Sequence, residues 1–150
     1  MLAVHLNHEQ FMHKAIQQAL KVPNCPFGAV LVEATTGVVF AEGYNRTSEN
    51  PTYHGEIDVI NKLAKVNPSP PWQSLILYTT AEPCPMCQAA IAWAGIPTVV
   101  YGSSIPFLKS LGWWQIDIRA QEIAAKVPFS PTVIIAGILE KECNALFEAV

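Results

Sequence analysis

Two cysteines in a C-x-x-C pattern, Cys84 and Cys87, are the feature that most constrains how this chain can fold. Pro85 suits the first position of a helix, so Cys84 is predicted at the N-cap and Cys87 in the first turn. Residues at this spacing lie on one side of a helix, so both sulfur atoms can bind one ion. His54 can supply a third ligand and leave a fourth position open, which is the ligand count of a catalytic zinc site.

Three other interpretations of the cysteine pair are possible. Two buried apolar cysteines would not need prolines on both sides of Cys84, and a redox pair would not need His54 and Glu56. A four-cysteine structural zinc site would need a second pair. The remaining cysteines, Cys25 and Cys143, are far apart in the chain and neither belongs to another C-x-x-C. The pattern therefore favours a zinc site with His54, Cys84 and Cys87 as ligands.

The spacing of His54 and Glu56 restricts where the second helix can begin. Residues two apart in a regular helix point to nearly opposite sides, so both side chains cannot face one metal from a helix interior. They can do so only if His54 lies at the non-helical entrance of the helix or in its first turn, with Gly55 easing the backbone. We therefore expect the second helix to begin near residues 52–54.

Composition and charge limit the function classes. The chain is 51% hydrophobic and 14% charged, which predicts one ordered domain over residues 1–150. The net charge is −3 without a Lys/Arg cluster, which argues against nucleic acid as a partner and favours a small neutral substrate. Residues 1–5 lack the basic start of a signal peptide, and Pro and Gly interrupt every apolar run, so we expect no membrane span. Four cysteines then predict reduced thiols and a cytoplasmic location.

Helical and strand patterns alternate along the chain. Asn7 predicts a helix cap, and the next apolar residues repeat with helical period. The β-rich runs at 28–33 and 38–42 predict a hairpin, followed by a loop at 43–52. Further strands are predicted at 74–80, 98–102 and 132–136, and helices at 84–94, from about 119, and at 139–147; the type of segment 103–112 stays open. This order predicts an α/β fold, a three-layer α/β/α sandwich with a mixed sheet of about five strands.

The residues His54-Gly55-Glu56 and Pro83-Cys84-Pro85-Met86-Cys87 together resemble the H-x-E…P-C-x-x-C signature of the zinc-dependent cytidine deaminase-like superfamily. The segments 26–29, 43–46, 50–52 and 82–87 are similar to the branch that holds guanine deaminases and tRNA adenosine deaminases. Gly55, with segments 77–80 and 94–97, is closer to fungal cytosine deaminase. The resemblance covers most of the chain, from the first helix to about residue 102.

This resemblance implies one Zn²⁺ per chain, with Glu56 as the catalytic acid and base rather than a ligand. It implies that Asn45 hydrogen-bonds the base and that Phe27 packs on it, although a turn residue and a core residue are the ordinary interpretations of these two positions. Gly55 is expected beside the substrate. Trp93 stands where bacterial guanine deaminases carry Trp, and it could reach a base across a subunit boundary or pack in the core.

The resemblance implies a hydrolase that deaminates a free nucleobase or related heterocycle, with guanine favoured, and a homodimer. Cytosine deaminase and then tRNA adenosine deaminase are the alternatives, and a zinc-stabilised interaction module is the non-enzymatic one. Trp113 and Trp114 replace an acidic motif of the guanine deaminases and are expected to form a lid. Asp117 is either a substitute for the missing acid or a surface carboxylate.

Overall fold

The computed structural model describes residues 6–150, so the expectation about a signal peptide at residues 1–5 lies outside the described part. The elements, in chain order, are α1 (His8–Ala19), β1 (Gly28–Glu33), β2 (Val39–Tyr44), α2 (Gly55–Val66), β3 (Leu75–Ala81), α3 (Pro85–Ala94), β4 (Thr98–Ser103), α4 (Ile105–Ser110), α5 (Ala120–Ala125), β5 (Val133–Ile135) and α6 (Glu140–Glu148). A short 3₁₀ turn, Trp72–Ser74, leads into β3. No helix within residues 6–150 is long and apolar enough to cross a membrane.

The five strands form one mixed sheet in the order β2-β1-β3-β4-β5. The hairpin strands β1 and β2 are antiparallel, and β1 also pairs antiparallel with β3, with Val30 opposite Tyr78. Strands β3, β4 and β5 are parallel, with Leu77 opposite Val99. Every residue of β3 and β4 is buried, as expected for central strands covered on both faces.

Alternate residues of each strand build two cores, one on each face of the sheet. On one face Val30, Ile76 and Val100 pack with Met12 of α1 and Cys143 of α6. On the other face a second cluster joins β1, β3 and β4 to α2 and α3; its members include Leu31, Leu77, Val99, Val59 and Ile91. The three-layer α/β/α prediction is therefore confirmed.

The helix ends follow the predicted signals. Asn7 caps α1 by accepting a hydrogen bond from the Gln10 N–H at 3.3 Å. Gly95 ends α3 in the left-handed conformation, at φ 86°, which favours glycine. The segment whose type stayed open contains α4, capped by the Ser104 hydroxyl, which accepts from the Phe107 N–H.

One boundary prediction was wrong. The sequence predicted a loop from residue 43, but β2 continues to Tyr44, with Gly43 paired to Ala29. The carboxylate of Asp58, in α2, occupies the space where a Cβ at position 43 would lie. The close approach of β2 to α2 therefore requires a glycine at position 43. This glycine lies within a strand and does not form a turn.

Candidate active site

Three metal-binding side chains meet where α2 and α3 begin. His54 is the N-cap of α2 and Cys84 the N-cap of α3; both have extended backbone, with ψ of 166° and 167°. Cys87 lies in the first turn of α3 and is fully buried. The His54 Nδ1 lies 3.6 Å from the Cys84 Sγ and 3.5 Å from the Cys87 Sγ. The expectation that His54 lies at a non-helical entrance is confirmed.

These distances fit tetrahedral zinc. Bond lengths of about 2.3 Å to sulfur and about 2.05 Å to nitrogen at a tetrahedral angle place the two donor atoms about 3.6 Å apart. The donor atoms of His54, Cys84 and Cys87 all lie within 4.8 Å of one another, and within the described residues they form the only such group of three. Three ligands leave the fourth position for a water or a substrate, as in catalytic sites.

The charges of the two sulfur atoms also fit a bound cation. A hydrogen bond from Cys87, followed by one with His54, lowers the pKa of Cys84 to about 4. The same contact with Cys84 raises the pKa of Cys87, because one thiolate opposes a second beside it. A divalent cation bound to both would remove that opposition and favour two thiolates.

The carboxylate of Glu56 is buried beside these ligands and lines the same cavity. Burial raises its pKa to about 7, and the negative charge of Cys84 adds to this effect. The Thr79 hydroxyl lies 3.2 Å from Glu56 Oε2 and 3.2 Å from the Ala81 carbonyl oxygen, so its one hydrogen can serve either acceptor. Thr79 was not singled out from the sequence, although a hydroxyl at the end of an apolar strand was the available signal.

A cavity of about 710 Å³ opens onto this site. Its walls include His54, Glu56 and Cys84 on one side and Phe27 and Asn45 on another. The rest of the lining comes from residues 24–25, 47, 51, 82, 111–115 and 150. A cavity of this size, mostly apolar with a few polar groups, is typical of small-molecule sites.

The structure brings Asn45 and Phe27 together. The Asn45 N–H donates to the Phe27 carbonyl oxygen at 2.9 Å. The Asn45 Oδ1 accepts from the backbone and the hydroxyl of Thr47 at 3.0 and 2.7 Å, so the amide NH₂ is the group left to meet a ligand. A Cβ at Gly55 would lie 3.2 Å from the same Phe27 carbonyl oxygen, so a side chain there would require this carbonyl to shift slightly.

Two residues hold this wall in place, and sequence reasoning gave neither a role. The buried Asp58 accepts from the Tyr44 N–H at 3.1 Å and pairs with Arg46 at 3.5 Å, on either side of Asn45. The Thr80 hydroxyl accepts from the Gly28 N–H at 3.1 Å, next to Phe27. An acid four residues after His54 on the helix was the only sequence signal for Asp58.

Comparison with known proteins decides the family. The profile described as "Cytidine and deoxycytidylate deaminase zinc-binding region" matches residues 6–103, about two thirds of the chain. The chain belongs to this deaminase family. It is therefore a hydrolase of carbon–nitrogen bonds, and the prediction of zinc as its cofactor is confirmed, with His54, Cys84 and Cys87 positioned to bind it.

Relatives of this deaminase differ in substrate. It is 42% identical to the guanine deaminase of Bacillus subtilis over 83% of this chain and 85% of that protein. It is 35% identical to a tRNA-specific adenosine deaminase of Rickettsia felis over 91% of this chain and 95% of that protein. The solved guanine deaminase of Nitrosomonas europaea shares the fold, with a TM-score of 0.79 over 94% of this chain and 82% of that chain, at 21% identity.

Trp93 lies outside the cavity of this deaminase. Its side chain is 77% exposed, so it is not a core residue. It stacks on Phe129 with ring centroids 4.7 Å apart, and it is absent from the cavity wall. A contact between Trp93 and substrate therefore stays a prediction that requires a second subunit.

Residues 111–119, here called the rim segment, connect α4 to α5 of the deaminase, and the first five of them, 111–115, line the cavity. Trp113 packs edge-on against Phe27 and Phe147, at 5.6 and 5.5 Å between ring centroids, and donates to the Phe147 carbonyl. Trp114 is 97% exposed at the cavity mouth, and its role as a lid stays a prediction. Asp117 is 76% exposed and pairs with Lys109 at 3.0 Å, so it is a surface carboxylate outside the cavity wall.

Gln88, the residue after the second zinc ligand, provides a test of stability. It is fully buried, and within the described residues neither atom of its amide group has a hydrogen-bond partner. An unsatisfied buried amide costs about 1–3 kcal/mol. We expect Gln88→Leu to raise the free energy of unfolding by about 1 kcal/mol in urea titrations at saturating zinc. The exposed Gln17→Leu is the control and should change it by less than about 0.5 kcal/mol. A loss of stability in Gln88→Leu would show that the amide is satisfied.

Proposed function

We propose that this deaminase acts on a free nucleobase or a related aminated heterocycle, with guanine favoured, and releases ammonia. The observation that carries the proposal is the buried Glu56 carboxylate, which lines one cavity with His54 and Cys84, two members of the group of three metal ligands. The relative at 42% identity, a guanine deaminase, supports guanine as the first candidate. The net charge of −3 supports a small neutral substrate.

Recognition of the base is assigned to the cavity wall. The free NH₂ of Asn45 would donate to a ring nitrogen or carbonyl oxygen of the base. The ring of Phe27 would pack on the face of the heterocycle, in the manner of offset aromatic pairs. Gly55 leaves room for the base next to the Glu56 carboxylate. These three roles come from the family resemblance, and those of Asn45 and Phe27 are also supported by their place in the cavity wall.

In the proposed deamination, the Glu56 carboxylate would carry out both proton transfers. When bound, Zn²⁺ supplies a Lewis acid that lowers the pKa of water to about 7. Glu56 would accept a proton from the attacking water and pass it to a ring nitrogen of the base. The same Oε atoms would then carry the second proton to the departing amine, so that water and amine become carbonyl and ammonia. Burial of Glu56 keeps bulk water from competing for these protons.

A tRNA adenosine deaminase is the second candidate. The relative at 35% identity over 91% of this chain carries that name. Binding a folded RNA normally requires basic residues that contact phosphates, and this chain has 9 Lys+Arg against 12 Asp+Glu. We therefore rank it behind guanine deamination, and we rank cytosine deamination, which Gly55 favours, behind guanine as well.

Ammonia release identifies the substrate. The purified zinc-loaded protein would be assayed against guanine, cytosine, adenine, their nucleosides, aminated triazines and a tRNA anticodon stem-loop. We expect guanine to give the highest kcat/KM and the nucleosides to be at least about tenfold poorer, because the polar groups assigned to recognition, Asn45 and Glu56, pair with the base and none is assigned to a ribose. Turnover of the stem-loop alone would overturn the free-base proposal, and turnover of cytosine alone would replace guanine.

We also propose a cytoplasmic homodimer. All four cysteines are free, which supports a reducing compartment. The exposed pair of Trp93 and Phe129 supports a subunit contact beside α3. Sedimentation equilibrium would test the dimer, and a single species of about 16 kDa would argue against it.

A further inference from the structure

Glu82 opens the Glu82–Gln88 motif, and neither the zinc site nor the proton transfers give it a role. It lies between β3 and the ligand Cys84, and it is 4% exposed. Its Oε1 accepts from the Ile105 N–H at 2.8 Å, and its Oε2 accepts from the Ala120 N–H at 2.8 Å. The Arg119 Nε lies 3.0 Å from both oxygens. A buried carboxylate requires such partners, so these contacts are mutually dependent.

The two backbone partners of Glu82 are each the first residue of a helix. Ile105 is the first residue of α4, Ala120 is the first residue of α5, and the rim segment lies between these two helices. The Glu82 carboxylate therefore holds the chain on both sides of the rim segment. Glu82 itself lies two residues before the zinc ligand Cys84. Arg119 is fixed in turn by its NH₂ group, which donates to the Tyr101 hydroxyl of β4 at 3.2 Å.

Contacts continue from the rim segment to the cavity wall. The Trp113 ring lies against Phe27 at 5.6 Å between ring centroids. The backbone N–H of Trp113 donates to the Leu108 carbonyl oxygen at 3.1 Å. Phe27 lines the cavity together with Glu82 and Cys84. Movement of the rim segment would therefore move Trp113 and loosen the packing of Phe27.

We propose that Glu82, held by Arg119, is a positioning residue that sets the rim segment and the Trp113–Phe27 wall at a fixed place relative to the zinc ligand Cys84. Glu82 acts through its neighbours and takes no part in the proton transfers. The expected effect of Glu82 on substrate binding rests on the proposed function, in which the Trp113–Phe27 wall contacts the base. The consequence for the rim segment does not depend on any substrate.

Arg119→Gln is the first variant to test. The Arg119 side chain is 44% exposed, so its replacement should leave the core intact, while Glu82 loses its charged partner. We expect faster amide hydrogen exchange in peptides covering 105–120 and 82–87, with exchange in α1 unchanged. We expect zinc to stay at one per chain and kcat/KM to fall by about tenfold to hundredfold, mostly through KM, because a small displacement of a binding wall has effects of this size.

Lys109→Gln is the matched control. It removes an exposed ion pair that also spans the rim segment, Lys109 with Asp117 at 3.0 Å. Exposed pairs contribute little, so its hydrogen exchange and its kinetics should match those of the wild type. If Arg119→Gln and Lys109→Gln gave the same exchange pattern, the proposal would be overturned.

A double-mutant cycle tests whether Arg119 acts through Glu82. We expect Glu82→Gln to give the same exchange pattern, and the double variant to lose no more kcat/KM than Glu82→Gln alone. Losses that simply multiply would overturn the proposal. If none of the bases in the panel reacts, the proposed function fails, while hydrogen exchange and the zinc content still decide the role of Glu82.

Discussion

Replacing Glu56 with glutamine is expected to abolish most turnover while zinc stays bound. General acid and base catalysis by one side chain contributes about 10²-fold to 10⁴-fold, and Glu56 is proposed to act in two proton transfers. We therefore expect a loss near the upper end, about 10³-fold to 10⁴-fold in kcat. Glutamine retains the size of the side chain, so the buried contact with Thr79 and the fold should survive. Steady-state ammonia release and metal analysis on the same sample would measure both quantities.

The matched control for Glu56→Gln is Glu49→Gln. Glu49 is an exposed carboxylate paired with Arg46 at 2.7 Å, outside the cavity wall. Its loss should leave kcat unchanged within a factor of about two. If Glu56→Gln retained one zinc per chain and more than a tenth of wild-type kcat, Glu56 would not be the proton carrier. An interaction module without catalysis predicts a different result, in which both the wild type and Glu56→Gln bind one zinc per chain and neither releases ammonia.

Replacing Cys87 with serine is expected to remove both the zinc and the activity. Serine keeps the shape of the buried side chain but offers a hydroxyl where zinc in such sites takes a thiolate. Without the metal, the pKa of water is no longer lowered to about 7, so almost no hydroxide is available at neutral pH. We expect less than a tenth of a zinc per chain and activity below detection.

Thermal unfolding gives a second measurement of the metal site. At free zinc one hundred times above its Kd, binding stabilises the wild type by about 2.7 kcal/mol. Zinc should therefore raise the Tm of the wild type and leave that of Cys87→Ser unchanged. Cys143→Ala is the control, because Cys143 is also a buried thiol but packs with Met12 and Val100 in the other core. Retention of stoichiometric zinc by Cys87→Ser would contradict the assignment of the ligands.

The zinc ligands could be predicted because their constraints are local. Pro85 fixes the start of α3, and the C-x-x-C spacing then brings Cys84 and Cys87 to one side of that helix. The spacing of His54 to Glu56 predicted that His54 lies at the non-helical entrance or in the first turn of its helix, and the structure places it at the N-cap. The structure confirms this arrangement with sulfur–nitrogen distances of 3.5 and 3.6 Å.

The supporting residues could not be predicted because their partners are distant in the chain. Glu82 accepts from Ile105 and Ala120, and Asp58 accepts from Tyr44, none of which forms a pattern along the sequence. Trp93 shows the same limit, since a Trp on an apolar helix could be a core residue and is instead exposed. Burial and long-range hydrogen bonds decide such cases, and both depend on how the layers pack.

The sequence by itself determined the family chemistry: a helix start that presents two thiolates, an imidazole at a second helix start, and a carboxylate two residues later. Alternating strand and helix patterns also determined the three layers, because periodicity records which faces are buried. Only the tertiary structure decided how the cavity is walled, with Phe27, Asn45 and the rim segment meeting above the zinc ligands. These residues come from separate loops, and loops are placed by the elements they connect and by long-range contacts rather than by local propensity.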